Sequence, residues 1–287
     1  MIVFRVCYDK GGGNKSFGAR FGPAAIERAF KRWPWRGAED GTPHPKLSWV
    51  SPFMSLEGYR RRAESLFAKK KGREPFITLS GDNSCSFETV RAVKQHVQDT
   101  HIALAILDAH PDACAPGHDP HANWVRRLWD EGIVKPEKTA FFGIRDAERD
   151  EALYIKEKKA AVITSDKIYI AYSGGNRINT EASDFVDWEP HSAHALVIVV
   201  DIDVLDPAYA PGTGVLRAGG LHVRHVLHII RRLCAHPFAM KVGEICEVIP
   251  EEGNRLRPAS DQRPDPCGLT VLAAEAIFRE MIRSMAV

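Results

Sequence analysis

The sequence predicts an α/β fold: a three-layer αβα sandwich around a mostly parallel central sheet. Short apolar, β-branched runs recur along the 287 residues, and helical patterns separate them. Strands that alternate with helices build βαβ units and pair in parallel. The runs also lack in–out alternation, as strands covered on both faces do.

The first strand is read at 2–8 (IVFRVCY), and a helix follows at 23–33. Pro23 opens that helix, where a missing N–H costs nothing. Residues 34–56, rich in Pro and Gly, read as a long surface loop. Next come a helix at 56–71, a strand at 75–79, a helix at 86–97 and a strand at 102–107. A helix at 122–132, a strand at 139–143, a helix at 147–159 and a strand at 160–164 continue the alternation. SGGN at 173–176 is a turn signal. The last elements are a strand at 195–200, a helix at 222–236, a strand at 240–246 and a helix at 269–285. No linker or internal repeat interrupts the series, so 1–287 reads as one domain.

Composition narrows the class. With 44% apolar and 26% charged residues, the chain reads as an ordinary globular protein. A net charge of +2 gives no reason to expect nucleic acid or a membrane surface as partner. The basic run at 69–73 reads as a solvated helix end. Six cysteines without a CxxC pair argue against a zinc ribbon or a disulfide framework. A reducing, cytoplasmic setting is expected, and no secretory signal is read at the N-terminus. The apolar run ALVIVV is far shorter than the ~20 residues that span a bilayer as a helix.

In this fold class ligands bind outside the carboxyl ends of the strands. Three ends carry polar residues: Gly81, Asp82, Asn83 and Ser84 after one; Asp108, His110 and Asp112 after the next; Asp201, Asp203 and Asp206 after a later one. Residues two apart share a face if the strand continues. Any single carboxylate reads as a cap or turn residue, and Asp206 before Pro207 reads that way. Asp108, Asp112, Asp201 and Asp203 crowded in one cleft would repel and raise each other's pKa. Two divalent cations would neutralise them, and carboxylates with an imidazole suit Mn²⁺.

DAHPD (108–112), DIDVLDPAYAPGTG (201–214) and SGDNS (80–84) resemble motifs of the ureohydrolase (arginase/agmatinase) family. GARFGP (18–23), FFGIRD (141–146), GGL (219–221) and EICEVIP (244–250) extend the match. The resemblance implies an arginase-like fold and hydrolysis of a guanidino compound to urea and an amine by two Mn²⁺ ions bridged by hydroxide. It implies that Asp108 and Asp201 bridge both metals, that His110 and Asp203 bind one, and that Asp112 binds the other. Glu247 would receive the guanidinium. His121, with His118 as rival, would shuttle a proton. Asp112, His121 and Glu247 are the catalytic candidates. The implied assembly is a homo-oligomer, a trimer or hexamer.

The chain departs from the family pattern at three places. Asn83 stands where the family has a histidine ligand. Either it binds the metal through its amide oxygen, more weakly, or that position is often empty. Val215 and Leu216 replace a Thr-Pro pair whose hydroxyl would support Glu247. Cys114 replaces the asparagine that arginases use for the amino-acid head group, and GARFGP is more agmatinase-like, so L-arginine is not the expected substrate. A formimino or other amidine substrate, or a catalytically weak binding paralogue, are the alternatives. Cys85, Cys114 and Cys246 read as small packed hydrophobes, with a pocket thiolate as the other reading. DKGGGNKS (9–16) lacks the spacing of a phosphate loop and reads as a loop that closes over the pocket. His222, His225 and His228 read as surface or packing residues.

Overall fold

The computed structural model describes residues 1–32, 45–70, 74–97, 102–173, 188, 193–263, 265 and 267–286. Residues 34–44 of the 34–56 segment, 71–73 of the 69–73 run and 174–176 of the 173–176 turn therefore lie outside the described residues. Eight strands form one sheet: β1 (Ile2–Val6), β2 (Ser48–Trp49), β3 (Phe76–Ser80), β4 (Ile102–Leu107), β5 (Thr139–Ile144), β6 (Ala161–Thr164), β7 (Ala195–Asp201) and β8 (Met240–Cys246). Their order is β2-β1-β3-β8-β7-β4-β5-β6, and every pairing is parallel. The expected mostly parallel sheet is thus parallel throughout the described residues. The two-residue β2 sits inside the stretch read as loop; it is too short to carry a strand signature.

The helices are α1 (Gly13–Ser16), α2 (Gly22–Arg32), α3 (Leu56–Lys70), α4 (Ser84–Val97), α5 (Trp124–Asp130), α6 (Arg149–Lys158), α7 (Ser165–Ser173), α8 (Val223–Cys234), α9 (Glu251–Asn254) and α10 (Leu269–Met285). The sequence reading lacks α1, α7 and α9. Two of these are single turns, and α7 leaves Tyr169 and Ile170 exposed, which blurs its apolar stripe.

Two cores explain why the strands do not alternate in polarity. Val3, Ile77, Leu79, Ala103, Ala105 and Leu107 face one core with α2, α8 and α10. Ile2, Phe4, Phe76, Ile102, Leu104 and Ile106 face the other with α3, α4 and α5. Successive side chains point to opposite faces of a strand, and here both faces are buried.

The register positions the site. Leu107 is level with Val200, and Asp201 with Cys246. The chain segments that leave β3, β8, β7 and β4 therefore emerge side by side. These four adjacent strands are the middle of the sheet, and their carboxyl ends are where such folds place ligands.

Candidate metal centre

Asp108 is the first residue beyond β4, and the chain turns there instead of continuing as strand. Its Oδ1 accepts the His110 N–H at 2.7 Å. Asp201, which ends β7, repeats the device: its Oδ1 accepts the Asp203 N–H at 2.9 Å, opening a 3₁₀ turn at Ile202–Val204. The pairs two apart thus converge through turns rather than through strand alternation. Asp112 takes a left-handed backbone (φ 50°) and Glu247 another (φ 59°). Non-glycine residues rarely adopt this region, and such strain collects at functional sites.

One group forms around His110. Its Nδ1 lies 3.0 Å from Asp203 Oδ2 and 3.6 Å from Asp108 Oδ1. These three side chains offer donor atoms within 4.8 Å of one another, a spacing one metal ion could share. A second group forms around Asn83. Its Nδ2 lies 2.7 Å from Asp112 Oδ2 and 3.4 Å from both Asp108 Oδ2 and Asp201 Oδ2. Asp108 thereby turns one oxygen to each group. Trp124 Nε1 donates to Asp112 Oδ2 at 2.8 Å.

The electrostatics are those of a crowded anionic cleft. Burial and the Asp203 charge push the Asp108 carboxyl up to about 7. Burial and neighbouring carboxylates hold Asp112 and Asp201 well above the usual range. Burial works to lower His110, but hydrogen bonds and charge from Asp108 and Asp203 outweigh it and raise the imidazole to about 11. Burial also raises Asp203, yet its contacts with His110 win and lower it. Four buried carboxylates sharing one imidazole and one amide fit a site for hard or borderline divalent cations.

The cluster opens into a cavity of about 200 Å³ lined by His110, Asp112, His121, Asp201, Asp203 and Glu247, among others. Of the two candidate shuttles, His121 lines it; His118 is exposed and does not. His121 Nδ1 lies 3.2 Å from the Gly11 carbonyl, and burial lowers its pKa. Glu247 accepts the Ser16 hydroxyl and the Asn83 backbone N–H, both at 2.9 Å. Burial and the Asp82 charge push its carboxyl up to about 8.

Ser16 is a residue that sequence reasoning missed. It supplies a hydroxyl to Glu247, as the absent threonine near Val215 was expected to do. The DKGGGNKS segment does border the cavity, through Lys15 and Ser16. Arg145 is a second omission: its guanidinium donates to the carbonyls of Asp203, Val204 and Leu205 at 2.6 to 3.3 Å and so braces the Asp203 turn. Both signals were present, in a glycine-rich run and in FFGIRD, but contact across distant segments is invisible in a linear pattern.

Other candidates fall outside the cluster. Asp82 accepts the Gly11 N–H at 2.6 Å and the Ser84 N–H and hydroxyl, fixing the loop. Asp206 accepts the N–H groups of Ala208, Gly219 and Gly220, a turn role. Cys114 lines the cavity, whereas Cys85 and Cys246 are fully buried and do not. His222 and His225 stack with each other, and His225 with Tyr172, away from the carboxylates.

Comparison with known proteins agrees with this geometry. The Arginase family model matches residues 1–283. The proclavaminate amidinohydrolase of Streptomyces clavuligerus is 30% identical over 244 residues, 80% of this chain and 75% of that protein. The agmatinase of Halalkalibacterium halodurans is 28% identical over 82% of this chain and 72% of its own. The crystal structure of Bacillus subtilis formimidoylglutamase shares the fold, with a TM-score of 0.83 and 24% identity over 100% of this chain and 87% of that one. A cleft of carboxylates at the ends of three neighbouring parallel strands, and a family match over nearly the whole length, lead to one conclusion: this chain belongs to the arginase family.

Proposed function

We propose that the protein hydrolyses a C–N bond of a guanidino compound, giving urea and an amine, with two Mn²⁺ ions per chain. The observation that supports it is one cavity lined both by Glu247 and by His110 and Asp203, two of the three members of the Asp108–His110–Asp203 group. Asp108, His110 and Asp203 would hold one ion; Asn83, Asp112 and Asp201, with the second oxygen of Asp108, would hold the other. When bound, the ions would lower the pKa of an attacking water and stabilise the negative charge on its oxygen.

The chain's own residues do the rest. The Glu247 carboxylate receives the guanidinium in a charge-assisted pair, held in place by Ser16 and Asn83. His121 is kept neutral by burial, so it can take a proton from the attacking water and pass it to the leaving amine. Val215, on the cavity wall, adds no hydroxyl to the substrate side.

That last observation favours a second reading, a formimino or other amidine substrate. A Bacillus subtilis formimidoylglutamase is 29% identical over 178 residues, 61% of this chain and 53% of that protein. The test is Mn content per chain after loading, then urea and formamide release over a panel of guanidino and formimino compounds. Urea release supports the first reading, and formamide from formimino compounds alone supports the second. No bound metal and no turnover would leave a catalytically weak paralogue and overturn both.

A further inference from the structure

We propose that the Ser86 hydroxyl, backed by Glu244, sets which end of the Asn83 amide faces the carboxylates and thereby gates the metal position at Asn83. The inference rests on the two-metal reading above and assigns Ser86 and Glu244 a positioning role.

Asn83 turns its NH₂ toward Asp112, Asp108 and Asp201, donating where a cation would otherwise offset their charge. Its other end, Oδ1, accepts the Ser86 hydroxyl at 2.6 Å. Ser86 Oγ also lies 3.2 Å from Glu244 Oε1. One hydroxyl hydrogen therefore has two acceptors, and it can serve one at a time. Glu244 is fully buried, and hydroxyls of Ser80 and Thr89 hold it from other sides. It is a fixed acceptor that does not line the cavity.

A half-turn of the amide exchanges its oxygen and nitrogen at unchanged positions. The oxygen then faces the carboxylates as a ligand, and Nδ2 donates to Ser86 Oγ. The Ser86 hydrogen moves to Glu244. In both arrangements the outer end of the amide keeps its hydrogen bond with Ser86 and the Ser86 hydrogen keeps an acceptor, so the site has one bonded state without the second cation and another with it. Buried amides left without a partner are costly, and Ser86 with Glu244 is what spares both states that cost.

The test is Mn²⁺ titration of the full chain by calorimetry, with electron paramagnetic resonance counting bound ions. Ser86→Ala costs the metal-free state one hydrogen bond, Ser86 to Asn83 Oδ1, and the metal-bound state two, Asn83 Nδ2 to Ser86 and Ser86 to Glu244, a net loss of one on the bound side. It should weaken the weaker of two Mn²⁺ ions about tenfold, the effect of one buried hydrogen bond, and leave the tighter ion within about twofold. Ser86→Cys, a weaker donor, should give an intermediate loss. In an Asn83→Asp background, adding Ser86→Ala should weaken nothing, because a carboxylate presents oxygen either way. Thermal melts establish that each variant is folded. Unchanged binding in Ser86→Ala, equal weakening of both ions, or the same loss in the Asn83→Asp background would overturn the gate. A wild-type chain that binds no Mn²⁺ would instead sink the metal reading itself.

Discussion

Glu247 holds a left-handed backbone conformation so that its carboxylate meets Ser16 and Asn83 inside the cavity. Ser16→Ala removes a hydrogen bond to a charged group, a loss of about 1.5 kcal/mol or more. It should raise KM about tenfold for the cationic substrate with a smaller change in kcat, read by steady-state kinetics. Titration gives a second prediction. Asp108 raised to about 7 and His110 raised to about 11 both make the folded metal-free chain bind more protons than the unfolded chain. Stability of the metal-free protein should therefore fall as pH rises from the ordinary carboxylate range through 7, and further toward 11. Metal must displace these protons. Mn²⁺ affinity should rise with pH across neutrality and release protons, measurable by calorimetry in buffers of different ionisation enthalpy. A pH-independent affinity would contradict it. At this scale the sequence exposed the ionisable ligands, but not Ser16, Ser86, Glu244 or Arg145. Those act through contacts with residues 58 or more positions away, apart from the Ser86–Asn83 pair.

Two glycines show how the elements enforce the site. A Cβ on Gly12 would fall 1.9 Å from Ser16 Oγ, and one on Gly81 would fall 1.9 Å from the Tyr8 carbonyl. The first clash is with a side chain and the second with backbone. Gly12→Ala should displace Ser16 and raise KM with only a small loss in melting temperature. Gly81→Ala should lower the melting temperature by several degrees, as strain of a few kcal/mol in a buried turn does. The opposite ranking in thermal melts would show that the loop tolerates the extra methyl. The strands β4, β7 and β8 were legible within a residue because both faces are buried and the apolar runs are unbroken. The interval holding β2 was not, since its only strand has two residues. Asp108 with His110, and Asp201 with Asp203, were expected to share a face only if the strands continued; the structure makes these segments turns, because each leading aspartate captures the N–H two residues on.

Over the whole molecule, metal and fold should be linked. Ions that bind the folded chain and not the unfolded one stabilise it by mass action, so chelation should lower the melting temperature and Mn²⁺ should restore it. We further propose a homo-oligomer, checked by light scattering of the full chain. Among the described residues no helix is long and apolar enough to cross a membrane. The sequence by itself determined the α/β class, the strands with two buried faces, and the ligand-type residues at their ends. Polarity patterning is local, and short motifs carry it. Only the tertiary structure decided that segments nearly a hundred residues apart share one cleft, that His121 rather than His118 borders it, and that Ser16 supplies the hydroxyl at Glu247. Those outcomes depend on sheet order and register, which level Leu107 with Val200 and set four strand ends side by side.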